Sequence, residues 1–283
     1  MTDLRELLVA EPGKVRLAEI DPRSTPGLKS NKRDAKDWSR TEVARITAKL
    51  DSYQEPLYAA AKKGAPDRIL LLLQAMDCGG KDGTVRSVLT GSNPAGVKVV
   101  SFGPPTEEER AHDFLWRVER ALPPPGYLGV FNRSHYEDVL VVRVHELVPP
   151  ETWQERYEQI NAFEAAQVAS GLTVVKVMLH ISKEEQAARL LARLSDPTKY
   201  WKYNPGDLAE RARWDDYQVA YEDAINRCST PQAPWYVVPA DRKWYRNWAV
   251  ANLLLAAFEK VDPQYPVPDF DVAAERAKLA ATI

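Results

Sequence analysis

The sequence predicts an α/β fold: a three-layer α/β/α sandwich on one parallel sheet, with a helical lid. Three observations lead there. Five short runs, 68–74, 97–102, 127–131, 174–181 and 235–238, are apolar almost throughout, as strands covered on both faces are. Segments with helical spacing or capping residues lie between them, the order of a parallel sheet with crossover helices. The first run leads into Asp77-Cys78-Gly79-Gly80-Lys81-Asp82-Gly83-Thr84, a glycine-rich turn followed by Val85, Val88 and Leu89 at helical spacing.

The elements follow in order. Residues 1–37 are polar and broken by Pro12, Pro22 and Pro26, with Lys29, Lys32, Arg33 and Lys36 forming a basic cluster near Asn31. That cluster reads either as a solvated arm or as an arm over an anionic site. Ser39 with Glu42 reads as a capping box for a helix to about Lys63, stopped by Gly64. A helix over 81–89 follows the first strand. Thr106 with Glu109 caps a helix carrying Phe114, Leu115 and Val118, and Thr152 with Glu155 opens a long helix that stops at Gly171. Ser182 with Glu185 and Asp207 with Glu210 start two helices of an insertion between the fourth and fifth strands. A last helix covers 243–260, and a proline-rich tail from Pro263 ends in a short helix. The expected organisation is an N-terminal arm and helix over 1–66, a core over 67–262 with a lid at about 183–228, and a tail over 263–283.

Composition narrows the class. The 283 residues carry 38 basic and 40 acidic side chains, a net charge of −2. That argues against a globally basic nucleic-acid binder but leaves room for a basic groove. Two cysteines, Cys78 and Cys228, make no disulfide framework and suit a reducing compartment. No apolar run approaches the ~20 residues of a membrane span, and the N-terminus lacks a signal-peptide pattern. The expectation is a cytoplasmic protein with neither membrane nor nucleic-acid partners.

Strand, glycine-rich turn, lysine and helix are the layout of a phosphate-binding loop. Glycines turn backbone N–H groups toward one anion, a helix N-terminus adds partial charge, and Lys81 adds a full one. Ala75 stands where the usual pattern has its first glycine, and Asp82 where it has Ser or Thr. The hydroxyl that normally ligates magnesium is therefore missing, and Asp77 or Asp82 would have to replace it. Ligands of such sheets bind beyond the carboxyl ends of the strands. Asn132-Arg133-Ser134-His135-Tyr136-Glu137-Asp138 should therefore share a rim with Asp77–Lys81. There Arg133 would clamp phosphate, and Glu137 or Asp138 would hold magnesium with Asp77. His135 reads equally as a catalytic residue or as a structural or supporting one, and His112, His145 and His180 as structural.

Arg189 and Arg193 are four residues apart and share a helical face. With Asp196-Pro197-Thr198-Lys199-Tyr200-Trp201-Lys202-Tyr203 they suggest a lid that neutralises a polyanion and excludes water. Trp201, Tyr203, Trp214 and Tyr217 read as core, with at most one stacking on a base.

Together these stretches resemble the family-2 polyphosphate kinases. The residues that carry the resemblance are Met76-Asp77-x-x-Gly80-Lys81-Asp82-Gly83-Thr84, Phe131-Asn132-Arg133-Ser134-His135-Tyr136-Glu137, and Arg193-x-x-Asp196-Pro197-x-Lys199-x-Trp201-Lys202-x-x-Pro205-x-Asp207. The match runs over roughly 25–262. Asn132 replaces an Asp found in many members, and Glu137 an Asn, as in the subgroup called class III, whose members phosphorylate both AMP and ADP. The resemblance implies a P-loop core similar to thymidylate kinase and an inorganic polyphosphate donor, with AMP, ADP and ATP as nucleotides. It also implies magnesium, with manganese as the alternative ion, and a homo-oligomer, dimer or tetramer. By position it implies that Lys81 and Arg133 hold the transferring phosphate. Asp77 would ligate magnesium, and Glu137 would ligate it or face the acceptor. Gly79, Gly80, Asp82, Gly83, Thr84, Arg193, Lys199 and Lys202 would bind phosphate directly or at one remove. The rival readings are an ATP-dependent nucleoside or nucleotide kinase and a non-catalytic polyphosphate or nucleotide sensor. Two carboxylates beside a phosphate site argue against the sensor.

Overall fold

The computed structural model describes residues 3–28 and 35–283. Five strands, β1 (Arg68–Gln74), β2 (Val97–Ser101), β3 (Leu128–Asn132), β4 (Leu172–His180) and β5 (Trp235–Pro239), form one parallel sheet in the order β2-β3-β1-β4-β5. The helices are α1 (Leu4–Leu8), α2 (Ala35–Ala61), α3 (Lys81–Val88), α4 (Glu107–Arg110), α5 (Trp116–Ala121), α6 (Val141–Val144), α7 (Pro150–Ala169), α8 (Lys183–Leu194), α9 (Asp207–Ala212), α10 (Trp214–Cys228), α11 (Lys243–Val261) and α12 (Val272–Ala280). On one face α11 lies against the sheet with α2 and α3 packed on it; α7 covers the other, with α6 and α10 beside it. This is the three-layer arrangement the apolar runs predict. β1 is buried from Ile69 to Gln74 because it is the central strand of a sheet covered on both sides.

The order of the strands fixes the site. β1 lies between β3 and β4, and the chain crosses to opposite sides of it before and after β3. Crevices form at such reversals, beyond the carboxyl ends of the strands. The register pairs Leu73 with Asn132 and Gln74 with Met178, so the loops after β1 and β3 leave the sheet side by side. The outer edge of β5 is covered by the N-terminal arm: Val9 bridges Tyr236, and Ala10 N–H donates to the Trp235 carbonyl at 2.8 Å.

Several local expectations need correction. Strand limits shift by one or two residues. Ser39 lies inside α2, buried, with its hydroxyl donating to the Trp244 carbonyl at 2.8 Å, so it joins α2 to α11 rather than capping. α7 starts at Pro150 after Pro149, and its fixed backbone serves where a Thr152 cap was expected. Asp207 lies in the first turn of α9, not at its cap, and the Glu210 carboxylate goes to the Tyr217 hydroxyl (2.6 Å) and His145 (3.0 Å). The helix expected after it breaks at Arg213 into α9 and α10, and the one after Thr106 into α4 and α5. The Thr106–Glu109 box is present in full, and Ser182 caps α8. Trp201 is 78 % exposed, so it is not core. The basic cluster at Lys29, Lys32 and Arg33 lies outside the described residues, while Lys36 stands in the first turn of α2.

The descent from α7 into β4 hinges on Gly171. It adopts φ +95°, and a Cβ there would stand 2.8 Å from the Pro66 carbonyl oxygen. Gly171→Ala should therefore cost roughly 2 kcal/mol of stability by denaturant titration. A loss within about 0.5 kcal/mol, the range of ordinary surface changes, would show that the turn relaxes freely.

Candidate active site

The loop after β1 closes tightly because its neighbours leave no room for side chains. Gly80 stands at the N-cap of α3 with φ 101°, and a Cβ there would overlap the Arg246 guanidinium. A Cβ at Gly79 would meet the Met76 carbonyl at 2.9 Å. Lys81, the first residue of α3, is nearly buried, and its ammonium turns back to donate to the Ala75 carbonyl at 3.0 Å. Burial, with Arg133 nearby, pushes its pKa down. Arg189 of α8 fastens the same loop from above: its guanidinium donates to the carbonyls of Cys78 (2.8 Å), Gly79 (3.1 Å), Ala240 (2.6 Å) and Asp241 (3.1 Å).

The loop after β3 carries Arg133 in a left-handed conformation, φ 63°, unusual for a residue with a side chain. Its N–H donates to the Leu73 carbonyl at 3.0 Å. The Ser134 hydroxyl, fully buried, accepts from Gln74 Nε2 (3.1 Å) and from Tyr136 N–H (3.2 Å). Beneath lies a buried charge cluster. The Glu164 carboxylate meets His135 Nε2 (3.1 Å), the Tyr136 hydroxyl (2.9 Å) and Lys176 Nζ (2.5 Å). Lys176 also donates to the Cys228 carbonyl at 2.7 Å, at the end of α10. A buried ion pair stabilises little in itself but restricts alternative arrangements where its charged atoms are hydrogen-bonded, as those of Glu164 and Lys176 are. Here it fixes the backbone on which Arg133 and Glu137 stand.

Two clefts open above these loops and share one wall. The first, about 490 Å³, is lined by Lys81, Arg133, Arg189, Arg193, Lys199, Lys202, Lys243 and Arg246 against Asp77 and Asp82, with Gly79, Gly80, Gly83 and Asn132 at its floor. The second, about 400 Å³, carries Asp77, Glu137, Asp207 and Glu210 against Arg133, with Met76, Pro104, Leu140, Val141, Tyr217 and Tyr221 as an apolar wall. Asp77 and Arg133 belong to both and face each other across the boundary: Arg133 Nη2 lies 3.0 Å from Asp77 Oδ1 and Nη1 lies 3.6 Å from Glu137 Oε2. Burial pushes the Glu137 pKa up, against the pull of Arg133 and Lys81.

Most of the residues singled out in the sequence thus face one space. Asp77, Gly79, Gly80, Lys81, Asp82, Gly83, Arg133, Arg193, Lys199 and Lys202 line the first cleft, and Glu137 the second. Asp82 links the parts around it: Asn132 Nδ2 donates to it at 2.8 Å, and Lys202 stands 3.8 Å away. Arg193 reaches the Lys202 carbonyl (2.7 Å) and Asp207 (3.5 Å). Thr84 faces neither cleft; it is buried, with its hydroxyl on the Gly80 carbonyl at 3.1 Å. Asp138 pairs with Arg156 (3.3 Å) and Arg117 (3.7 Å), which takes it away from the rim. Lys243 and Arg246, in the first turn of α11, escaped the sequence reading, although Asp241-Arg242-Lys243-x-x-Arg246 at a helix start was there to be noticed. Arg246 is 3 % exposed, its guanidinium hydrogen-bonds Asn247 Oδ1 (2.8 Å) and the Gly79 carbonyl (3.5 Å), and its pKa is driven down to about 9 by burial and by Arg189.

Residues 33–266 match the family model described as Polyphosphate kinase 2. The chain belongs to the polyphosphate kinase 2 family. It is 48 % identical over 266 residues to the AMP/ADP-polyphosphate phosphotransferase of Meiothermus ruber, covering 94 % of this chain and 97 % of that one. It is 41 % identical to the ADP-polyphosphate phosphotransferase of Rhodopseudomonas palustris, covering 93 % and 92 %. The crystal structure of polyphosphate kinase 2 from Arthrobacter aurescens TC1 superposes with a TM-score of 0.93 at 49 % identity, over 99 % of this chain and 97 % of that one. Within this polyphosphate kinase 2 fold, Lys81 is the one ammonium inside the glycine-rich loop. Removing such a preorganised donor costs on the order of 100- to 1,000-fold in rate. Lys81→Ala should lose that much turnover with its melting temperature little changed; a rate within threefold of the parent would refute the role.

Proposed function

We propose that the chain transfers the terminal phosphoryl group of inorganic polyphosphate to AMP and to ADP, forming ADP and ATP. The observation that carries this reading is the pair of clefts of opposite charge that meet at Asp77 and Arg133. A long polyanion belongs in the cationic cleft and is repelled by the carboxylates of the other. A nucleotide fits the second cleft, whose apolar wall takes the nucleoside and whose one guanidinium takes the phosphate. Donor and acceptor phosphates then meet at Arg133, positioned for in-line transfer. Lys81 leaves the Ala75 carbonyl for the donor's terminal phosphoryl group, and Arg133 spans both substrates as charge develops between them. Arg193, Lys199 and Lys202 hold the donor from the helical insertion, which acts as the lid and keeps water from the phosphoryl group.

The residues present fit a magnesium ion, or manganese. Asp77 uses Oδ1 toward Arg133, and its Oδ2 has no hydrogen bond among the described residues. Glu137 is a carboxylate whose buried charge a cation would relieve. Among the described residues no group of three or more His, Cys, Asp or Glu side chains converges as a metal site. An ion held by Asp77 and Glu137 would complete its shell with phosphate oxygens and water, as magnesium commonly does. When bound, it would screen the charge between the two substrates. No helix among the described residues is long and apolar enough to cross a membrane, and we place the enzyme in the cytoplasm, as an oligomer.

The second cleft offers few fixed hydrogen-bond partners for a base: the Gln186 amide is spent on the Asp77 carbonyl at 3.0 Å and Glu210 on Tyr217. A loosely held nucleoside can move by one phosphate, so that either AMP or ADP presents its terminal phosphate to Arg133. Incubation with polyphosphate, magnesium and AMP, without added ATP, should give ADP first and ATP later. A course that stops at ADP would remove the second acceptor; no reaction with either nucleotide would remove the proposed function.

Asp77→Asn should raise the magnesium concentration for half-maximal rate and cut turnover strongly, on the order of 100-fold, with Glu137→Gln milder. Unchanged magnesium titrations in both variants would show that the ion sits elsewhere.

A further inference from the structure

A third cavity, about 330 Å³, lies between α2, α3 and α11 and is lined by Lys36, Arg40, Ser87, Lys243 and Asn247 among others, with no carboxylate among the described residues of its wall. It meets the cationic cleft at Lys243, which lines both. Shared lining residues therefore link the three cavities: Asp77 and Arg133 join the acidic and cationic clefts, and Lys243 joins the cationic cleft to this groove. Lys243 is lodged among cations. Although it is exposed, its pKa is lowered by partial desolvation and then by Arg189, Arg246 and Lys199, against Glu185. Asn247 gives its Oδ1 to Arg246 (2.8 Å), an arrangement that leaves its amide N–H groups for an acceptor. Arg40 pairs with Asp37 at the rim (3.0 Å), but both are exposed and such a pair is easily exchanged.

We infer that this groove is a distal subsite for the polyphosphate chain. The inference rests on the proposed donor, and concerns where its unreacted length goes. The reacting end is fixed at the Asp77–Arg133 wall, so a chain longer than the cationic cleft must leave it. Acids guard the nucleotide side. On the other side Lys243 borders the groove lined by Lys36 and Arg40, cations on the exposed face of α2 that line neither cleft. A polymer laid there gains contacts without any change at the site of transfer, and the gain grows with length until the groove is filled.

The test is the double variant Lys36→Ala/Arg40→Ala, whose positions lie on the exposed side of a 27-residue helix. Binding of the intact protein to long-chain polyphosphate and to tripolyphosphate is measured by calorimetry at fixed salt, with the melting temperature as a check on folding. The dissociation constant for the long chain should rise on the order of tenfold, since each Lys or Arg near a polyanion contributes a few-fold. Its salt dependence should become shallower. The constant for tripolyphosphate should stay within twofold. A long-chain constant that is unchanged, or that rises no more than the tripolyphosphate one, overturns the inference. Because the readout is binding, it is separable from the proposed activity: that proposal fails if the unaltered protein forms no ADP from AMP, whatever the variant binds.

Discussion

A site for a polyanion must hold many cations together in a space with little water, and like charges there repel. The rest of this structure depends on how that repulsion is met. In the cationic cleft the buried cations are tied largely to neutral oxygens rather than to carboxylates. Arg189 bonds four backbone carbonyls, with one side contact to Glu185. Lys81 takes the Ala75 carbonyl and Arg246 takes Asn247. Carbonyl and amide dipoles hold the side chains in place without cancelling their charge, so the cleft keeps a positive field for its ligand. Carboxylates in the same places would have given a more comfortable fold and a weaker site.

The second cleft is built in the opposite way. Asp77 and Glu137 face Arg133, and Glu210 and Asp207 are occupied by Tyr217 and Arg193. This division asks for accuracy at one place, the backbone that carries Arg133, and that backbone is strained. The buried Glu164–Lys176 pair answers the need. Glu164 gathers the two residues that follow Ser134, and Lys176 carries the connection to the end of α10, the last helix of the insertion. One buried cluster thus sets the loop after β3 and the end of the helical insertion against the same strand.

Much of this was legible in the sequence. The runs around Ile69–Leu73 and Val174–Leu179 fix the strands, because only a sheet covered on both faces tolerates such continuity. Gly79, Gly80 and Lys81 fix the turn, and Asn132–Glu137 follows at the same rim from strand length alone. Capping was read less well. Ser39 resembles an N-cap, but its hydroxyl is taken by a backbone carbonyl of α11 some two hundred residues away, and no local pattern reveals that. Arg189 has the spacing of a ligand-facing arginine and proves to be a tether, since direction on a helix face does not tell a side chain which oxygens it will meet. Lys243 and Arg246 were missed because the topology, not the spacing, brings α11 against β1's loop. Lys176 was visible as a charge inside an apolar run, and only the fold supplies its partner.

The geometry also bears on how binding begins. Lys81 rests on the Ala75 carbonyl and Arg133 on Asp77 and Glu137, so each group that the proposed function assigns to phosphate has an internal oxygen standing in for it. Such contacts keep the side chains near their working positions and are cheap to exchange. The Arg133 pairs are partly exposed, and ion pairs of that kind contribute at most about 1 kcal/mol. A phosphate with several charged oxygens outcompetes a single carbonyl or a shared carboxylate. When it does, Asp77 loses its cation while Glu137 is left buried beside the incoming anions. Two carboxylates next to phosphate are unfavourable unless a cation arrives with the substrates. Under the proposed function, the same exchange that would free Lys81 and Arg133 for the donor would create the demand for a divalent ion at Asp77 and Glu137, and only once phosphate is present.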